Sequence, residues 1–361
     1  MNRTFFYSAM LLCLSFSSCK VIETTSVDYL QPADISFPPE VKRVAIVNNL
    51  PLADGNNQIK GEPKEELQEI SKITTLTDGD GKIAAETLAA KIAEGNYFDQ
   101  VIICDSALRA HDSFIRDPKL EKEEIETLTE DLDVDALFSL EGLKIKSLRK
   151  ICYLPQYELF QGTVDAEVNP LLRVYLRTRS VPMVSLSDRD SIYWEEYEKS
   201  EFYINHQLIK DEEVLQEASS FAASLPIKHL LPTWKSMKRY YYASGSIEMR
   251  DAAVSVRENM WDNALSLWQR ANKYKSDKLK MRTSLNIALY YELKDSLDLA
   301  ETWASKAKKI AAKKLKKNAN GEIEESTQDY ALIVLYLEEL KTRKAQIQKL
   351  SLQMNRFNDD F

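Results

Sequence analysis

Glycine is scarce in this chain, nine residues in 361, and no cluster of them could wrap a phosphate. There is no Gly-x-x-x-x-Gly-Lys-Ser/Thr loop, no Gly-x-Ser-x-Gly elbow and no His-Glu-x-x-His pair. Histidine is scarcer still: His111, His206 and His229 each stand apart from any cysteine or carboxylate at metal-binding spacing. The acidic pairs Glu123-Glu124, Glu195-Glu196 and Glu212-Glu213 are adjacent along the chain, so their side chains diverge and read as solvated faces. With no catalytic constellation, cofactor site or metal site in view, a non-enzymatic role is expected. Basic charge is also in deficit, 48 Lys and Arg against 56 Asp and Glu, which argues against a nucleic-acid binder or a general anionic-membrane binder.

Long apolar runs are missing except at the start. Arg3 gives a positive n-region, residues 5–16 form a mostly apolar stretch too short to span a bilayer, and Phe16-Ser17-Ser18-Cys19 follows. This resembles the lipobox of bacterial lipoproteins, with Phe16 where leucine is usual. The resemblance implies cleavage before Cys19, lipidation of Cys19, and an extended tether over residues 19–39. Two or three acyl chains hold stably where one does not, so membrane contact is expected through the anchor alone. Removing residues 1–18 leaves 343 residues and takes away only Arg3 among the charges, for a balance of −9. That length suggests two domains, and an apolar content of 44% is enough for packed cores.

Beyond Cys19 the mature chain keeps only Cys104 and Cys152. They permit one disulfide or two separate buried thiols, which geometry decides.

Residues 41–48 read as a buried first strand entered through Pro38-Pro39. Residues 48–81 are polar, punctuated by glycine and without strong periodicity, the mark of either a functional loop or a partly disordered one. Its Asp78-Gly79-Asp80-Gly81 lacks the later ligands of a calcium loop and reads as a turn. Ala84, Leu88 and Ile92 mark a helix, with Gly95 placed for a positive-φ cap. A strand at 100–104, a helix carrying Ile125, Leu128 and Leu132, and a strand at 135–145 complete β-α-β-α-β, an order that favours parallel neighbours. Extended runs at 163–178 and 182–197 add an antiparallel hairpin. Helix is expected at 211–224 and again through 227–242, with Trp234, Tyr240, Tyr241 and Tyr242 packing between domains or, as the sharper alternative, forming an aromatic ligand platform.

A repeat begins at residue 246. At a spacing of 36, Met249 matches Leu285, Ala252 Ala288, Trp261 Leu297, Ala264 Ala300, Trp268 Ala304, and Ala271 Ala307. Small residues recurring on one face let the two helices of a hairpin approach closely. The pattern resembles the tetratricopeptide repeat, whose second helix carries alanine, a larger residue four on, and alanine three further. Ala264, Trp268 and Ala271 follow it, whereas Ala304 replaces the large residue in the second copy. Tyr330, Ile333, Val334, Leu337 and Leu340 supply a capping helix over 328–350, and the helix at 227–242 would cap the other end. The basic run Lys306, Lys308, Lys309, Lys313, Lys314, Lys316 and Lys317 reads as a solvated helix end, or as a contact for anionic lipid or an acidic partner.

The expected architecture is α+β/α. A three-layer or two-layer α/β domain at 40–225 has a mixed sheet of order β-α-β-α-β-β-β. A connecting helix at 226–245 leads to an all-α tetratricopeptide-like hairpin array at 246–361. Tyr29-Leu30-Gln31-Pro32-Ala33, Phe37-Pro38, residues 42–48, Pro232-Thr233-Trp234 and the 36-residue unit together resemble a Bacteroidota lipoprotein family of unknown function. More distantly, the anchor and the strand-helix order are similar to curli-secretion and penicillin-binding-protein-activator lipoproteins, a likeness of fold alone. The expected role is an envelope adaptor without cofactors, anchored in the outer membrane and facing the periplasm. Its α/β domain sits near the bilayer, and its repeats offer a groove near Tyr291 to a protein or peptide. The alternatives are a small-molecule or glycan sensor using the α/β domain, and a structural oligomer.

Overall fold

The computed structural model describes residues 21–51, 57–60, 68–104, 107–109, 119–313, 315–317, 323–325 and 327–357. The chain forms two compact units, each assembled from two stretches of sequence. A helical unit takes the described residues up to Pro32 together with Trp234–Leu352, and an α/β unit takes Ala33–Thr233 together with the C-terminal residues from Gln353.

This division overturns the tether. Residues of the supposed linker form a strand, β1 (Ile22–Gln31), within the helical unit, and Ala33 and Phe37 are buried in the α/β unit. The Phe37 ring stacks on Phe138 and meets Phe98 edge-on, so this segment contributes to a core instead of spacing one from a membrane.

In the α/β unit, β2 (Arg43–Asn48), β3 (Asn57–Lys60), β4 (Glu69–Asp78), α1 (Gly81–Glu94), β5 (Gln100–Cys104), α2 (Lys122–Asp131), β6 (Ala136–Leu154), β7 (Leu159–Leu176), β8 (Val184–Leu186) and β9 (Asp190–Glu198) follow one another. Helices α3 (Glu201–Gln207), α4 (Asp211–Ser224) and the single turn α5 (Ile227–Leu230) complete it. The long β6–β7 hairpin is the spine of the sheet. The first part of β6 pairs in parallel with β2, which pairs in parallel with β5, whereas its later part pairs antiparallel with β4. On the other side, β7 carries β9 along its first part and β8 near its end. A bulge at Glu141 marks the point where β6 changes partner.

The sheet is three layers deep at one end and two at the other. At the parallel end, alternate residues face opposite ways: Val44 and Ile46 meet Ala84, Leu88 and Ile92 of α1, while Ala45, Val47 and Leu137 meet Ile125 of α2. At the far end, Ile145, Ile151, Val164 and Ala166 pack on Ile204, Leu208, Val214 and Ala218, whereas Lys144, Lys146 and Asp165 on the opposite face are exposed.

Three local expectations are corrected. Gly95 is right-handed, with φ −68°, and the positive φ of 46° falls on Asn96, which tolerates it. Glycine serves at 95 because a Cβ there would lie 2.7 Å from Leu231 Cδ1. The polar segment 48–81 holds β4, whose apolar residues do not share a buried face, since Ile70 and Leu76 are both exposed. The helix expected over 227–242 stops at Leu230. Pro232 cannot donate to a helix and holds Leu231 extended, with φ −126° and ψ 145°, and the β-branched and aromatic run that follows forms β10 (Thr233–Tyr242).

In the helical unit, β10 pairs with β1 as a two-stranded ribbon. Four helices follow as two hairpins: α6 (Ile247–Arg257) with α7 (Trp261–Ala271), and α8 (Asp277–Leu293) with α9 (Leu297–Ala312). After the short strands β11 (Lys316–Lys317) and β12 (Ile323–Glu325) comes α10 (Gln328–Met354). The 36-residue register holds down to the backbone: the turns place Asn259 and Asp295 at φ 58° and 52°. Ala252, Ala264, Trp268, Ala271, Ala288, Ala300, Ala304 and Ala307 are all fully buried. The helical domain does not run to the chain end as expected. Gln353 belongs to the α/β unit, where its amide donates to the Ala33 and Ile35 carbonyls and accepts from the Ala33 N–H.

Candidate partner groove in the helical unit

The ribbon lies on α8, the helix expected to line an open groove. Asn286 Oδ1 accepts from the Tyr242 N–H and its Nδ2 donates to the Tyr242 carbonyl, both at 2.8 Å, and Arg282 donates to the Ser244 carbonyl. Helix α8 is therefore buried nearly all round. Tyr291 sits half-buried near its C-terminal end, edge-to-face with Tyr290 at 5.4 Å. The ribbon contacts fall on the face of α8 that carries Arg282 and Asn286.

Strand alternation splits the aromatic cluster. Tyr241 is directed inward and, with the neighbouring Tyr242 at the strand end, joins the helical core, whereas Trp234 and Tyr240 face outward. Burial raises the pKa of both core hydroxyls well above the usual tyrosine value, and the charges of their acceptors, Glu23 for Tyr241 and Asp329 for Tyr242, add to the shift. Arg239, also directed inward, meets Glu292 of α8, which meets Arg343 of α10 in turn, all three buried. Burial alone would lower the Arg239 pKa, but hydrogen bonding to Glu292 and the charges of Glu292 and Glu339 hold it above the ordinary arginine value.

Arg343 is the link from this buried triad to an open groove. Its guanidinium lies 4.4 Å from the Tyr29 ring centroid and also pairs with Asp295. Around it, a cavity of about 370 Å³ is lined by Tyr29, Leu30 and Pro32, by Trp234, and by Gln346 and Ile347 of α10. Trp234 is 75% exposed and Ile347 45% exposed, which is unusual for large apolar side chains converging on one hollow. Asp28 and Gln346 at the wall offer hydrogen bonds. Arg343 is already neutralised by Glu292 and Asp295, so the groove can take an apolar or aromatic side chain with polar contacts at its edge.

Of these residues, sequence reasoning singled out Trp234 as an aromatic platform. Tyr29, Leu30 and Pro32 appeared only within a family-like motif to which no chemistry was attached. The fold brings Tyr29, Leu30 and Pro32 of that motif together with Trp234 in one groove, β1 being paired with β10.

Other expected sites stand apart. Cys19 and His111 lie outside the described residues. Cys104 and Cys152 are not joined in a disulfide. Cys104 is level with Val47 and hence with Ser139 of β6, and Cys152 lies thirteen residues further along, roughly 40 Å at strand spacing, far beyond disulfide reach. Lys306 donates to Asn272 and covers the Trp303 ring, and Lys313 pairs with Asp277, so part of the basic run serves internal contacts. Lys314 lies outside the described residues. His206 bonds the Phe202 carbonyl, and His229 sits between Asp34 and Asp188. A second cavity of about 420 Å³ lies at the carboxyl ends of β2 and β5, lined by Asn48, Lys82, Ala85, Glu86, Ile103 and Cys104.

A mixed α/β unit interleaved with a helical-hairpin unit is thus the class of protein that fold and groove define. Residues 41–242 match the family described as Domain of unknown function (DUF8603), more than half of the chain, and the chain belongs to that family. Residues 250–342 match the Domain of unknown function (DUF6340). No curated protein matches the chain. Among the described residues, no helix is long and apolar enough to cross a membrane.

Proposed function

We propose that this protein is a lipid-anchored envelope adaptor, acylated at Cys19 in the outer membrane and facing the periplasm, which binds a protein or peptide partner without catalysis. The observation that carries the reading is the groove of Tyr29, Trp234, Arg343 and Ile347, with its exposed aromatic side chain and polar edge. Exposed tryptophan and a stacked arginine are the residue types that dominate protein interfaces. In this reading the partner seats an apolar side chain against Trp234, beside the ribbon, and the inner face of α8 takes no part.

A photocrosslinking residue at Ile347 of the intact lipoprotein, in cells, tests this. One abundant crosslinked protein, lost when Trp234→Ala is added, is the expected result. No protein crosslink, or the same crosslinks with and without Trp234, would sink it. The cavity at the ends of the parallel strands favours a second reading, a binder of a small polar molecule, because open α/β sheets take ligands at that edge. Filling it with Ile103→Trp abolishes small-molecule binding if that reading holds and leaves the Ile347 crosslink unchanged.

A further inference from the structure

The anchor attaches with almost no slack. Cys19 precedes Val21 by two residues, at most about 7 Å of chain. The Val21 carbonyl already accepts from the Ala243 N–H, and β1 begins at Ile22. Acyl chains on Cys19 must therefore hold the start of the ribbon at the lipid surface.

Helix α6 is tied to that same point at both ends. Its N-cap Ser246 follows Ala243 by three residues, and Arg257 in its last turn pairs with Glu23 of β1. Its outward face carries Ile247 and Val254, 66% and 44% exposed, seven residues apart and so on one side of the helix, and Val21, bonded to Ala243 just ahead of the helix, is 41% exposed. In the 36-residue register Arg250 on this face corresponds to Asn286, the residue of α8 that holds the ribbon. The second hairpin has its cover in β10, whereas α6 leaves Ile247, Arg250 and Val254 exposed.

Resting on the reading of Cys19 as lipidated, we infer that the bilayer covers the exposed face of α6, with Val21, Ile247 and Val254 inserted among the headgroups. Arg250 and Arg257 are offset by Asp251 and Glu258, all four exposed, so the face is neutral overall and the contact, made by its apolar side chains, is independent of lipid charge. The helical unit is then docked on the membrane in a fixed orientation, by protein surface as well as by acyl chains.

The test uses the intact, acylated protein in phosphatidylcholine vesicles, in a Cys104→Ser, Cys152→Ser background. An environment-sensitive fluorophore is placed at Ile247→Cys, at Val254→Cys, or at Ile347→Cys, which lines the groove with Leu30 and Pro32 at the far end of β1. Brominated lipid is expected to quench the first two at least about threefold more than the third, since a ten-residue strand spans roughly 33 Å. Equal quenching at all three, or none at Val254, overturns the bilayer contact, the second outcome leaving a protein as the cover of α6. Mass spectrometry of the N-terminal peptide separates the two layers of argument. An unacylated Cys19 overturns the anchored reading itself, whereas an acylated Cys19 without selective quenching overturns only the docking face.

Discussion

The two helical hairpins carry alanines at the same spacing and turn through a left-handed residue at the same position, yet their first helices live in different surroundings. Helix α8 is enclosed by α7, α9 and the ribbon, and it holds a carboxylate and an amide in that enclosure; α6 keeps one face in the open. Position by position, Glu292 corresponds to Val256, Asn286 to Arg250 and Ala304 to Trp268. A repeat fixes how two helices approach one another, and the residues between its fixed points decide what each hairpin then meets.

The sharpest way to break the comparison is to give the second hairpin the first one's residue. Glu292→Val leaves Arg239 and Arg343 buried without their shared carboxylate, and about 3–5 kcal/mol of stability is expected to be lost. Urea denaturation should show it as an earlier transition of the helical unit ahead of the α/β unit. Trp268→Ala equalises the hairpins from the other side. It empties a fully buried site and costs about 3 kcal/mol, the low end for such truncations, because the Trp268 indole N–H has no acceptor among the described residues. Asn286→Ala removes two hydrogen bonds to the Tyr242 backbone and costs about 1–3 kcal/mol, with faster hydrogen exchange along β10 as its signature. At the corresponding position of the first hairpin, Arg250→Ala stays within about 0.5 kcal/mol in solution.

Alkali distinguishes the ribbon from the open helix without mutation. Tyr241 and Tyr242 have folded pKa values raised above the unfolded value of about 10. Their contribution is fully present below that pH and is lost as pH rises through it toward the folded values. Urea midpoints of the helical unit should therefore hold steady to about pH 9.5 and fall above pH 10, and Tyr241→Phe should make the fall shallower.

Where the sequence proved legible, a single periodicity carried the signal. Ala84, Leu88 and Ile92 gave α1; the run at 100–104 matched β5 to the residue; and the 36-residue spacing predicted both hairpins because small residues in close helix packing tolerate little else. The misreadings lie where tertiary pairing overrode local pattern. Strand β4 owes its existence to the long solvent-facing side of β6, and its threonines, Thr74, Thr75 and Thr77, were the β-branched signal available. The stretch from Thr233 to Tyr242 was taken as helix although Pro232 argued for a break, and its strand partner lies some two hundred residues earlier. The groove was hidden for the same reason, since Tyr29, Trp234 and Ile347 share no local pattern and meet only once the ribbon has formed.

The placement of β10 also bears on how such a chain could be rearranged. The two family matches are contiguous blocks, 41–242 and 250–342, of the sort that recombination can shuffle. Folding does not respect that boundary: the first block ends with the strand that covers α8 of the second, and β1 precedes both blocks. A transplanted second block would arrive with Asn286 and Glu292 stripped of Tyr242 and Arg239. The blocks are contiguous as text but share a fold, so a transplant that is to keep this packing has to carry both of them and the short segment ahead of them.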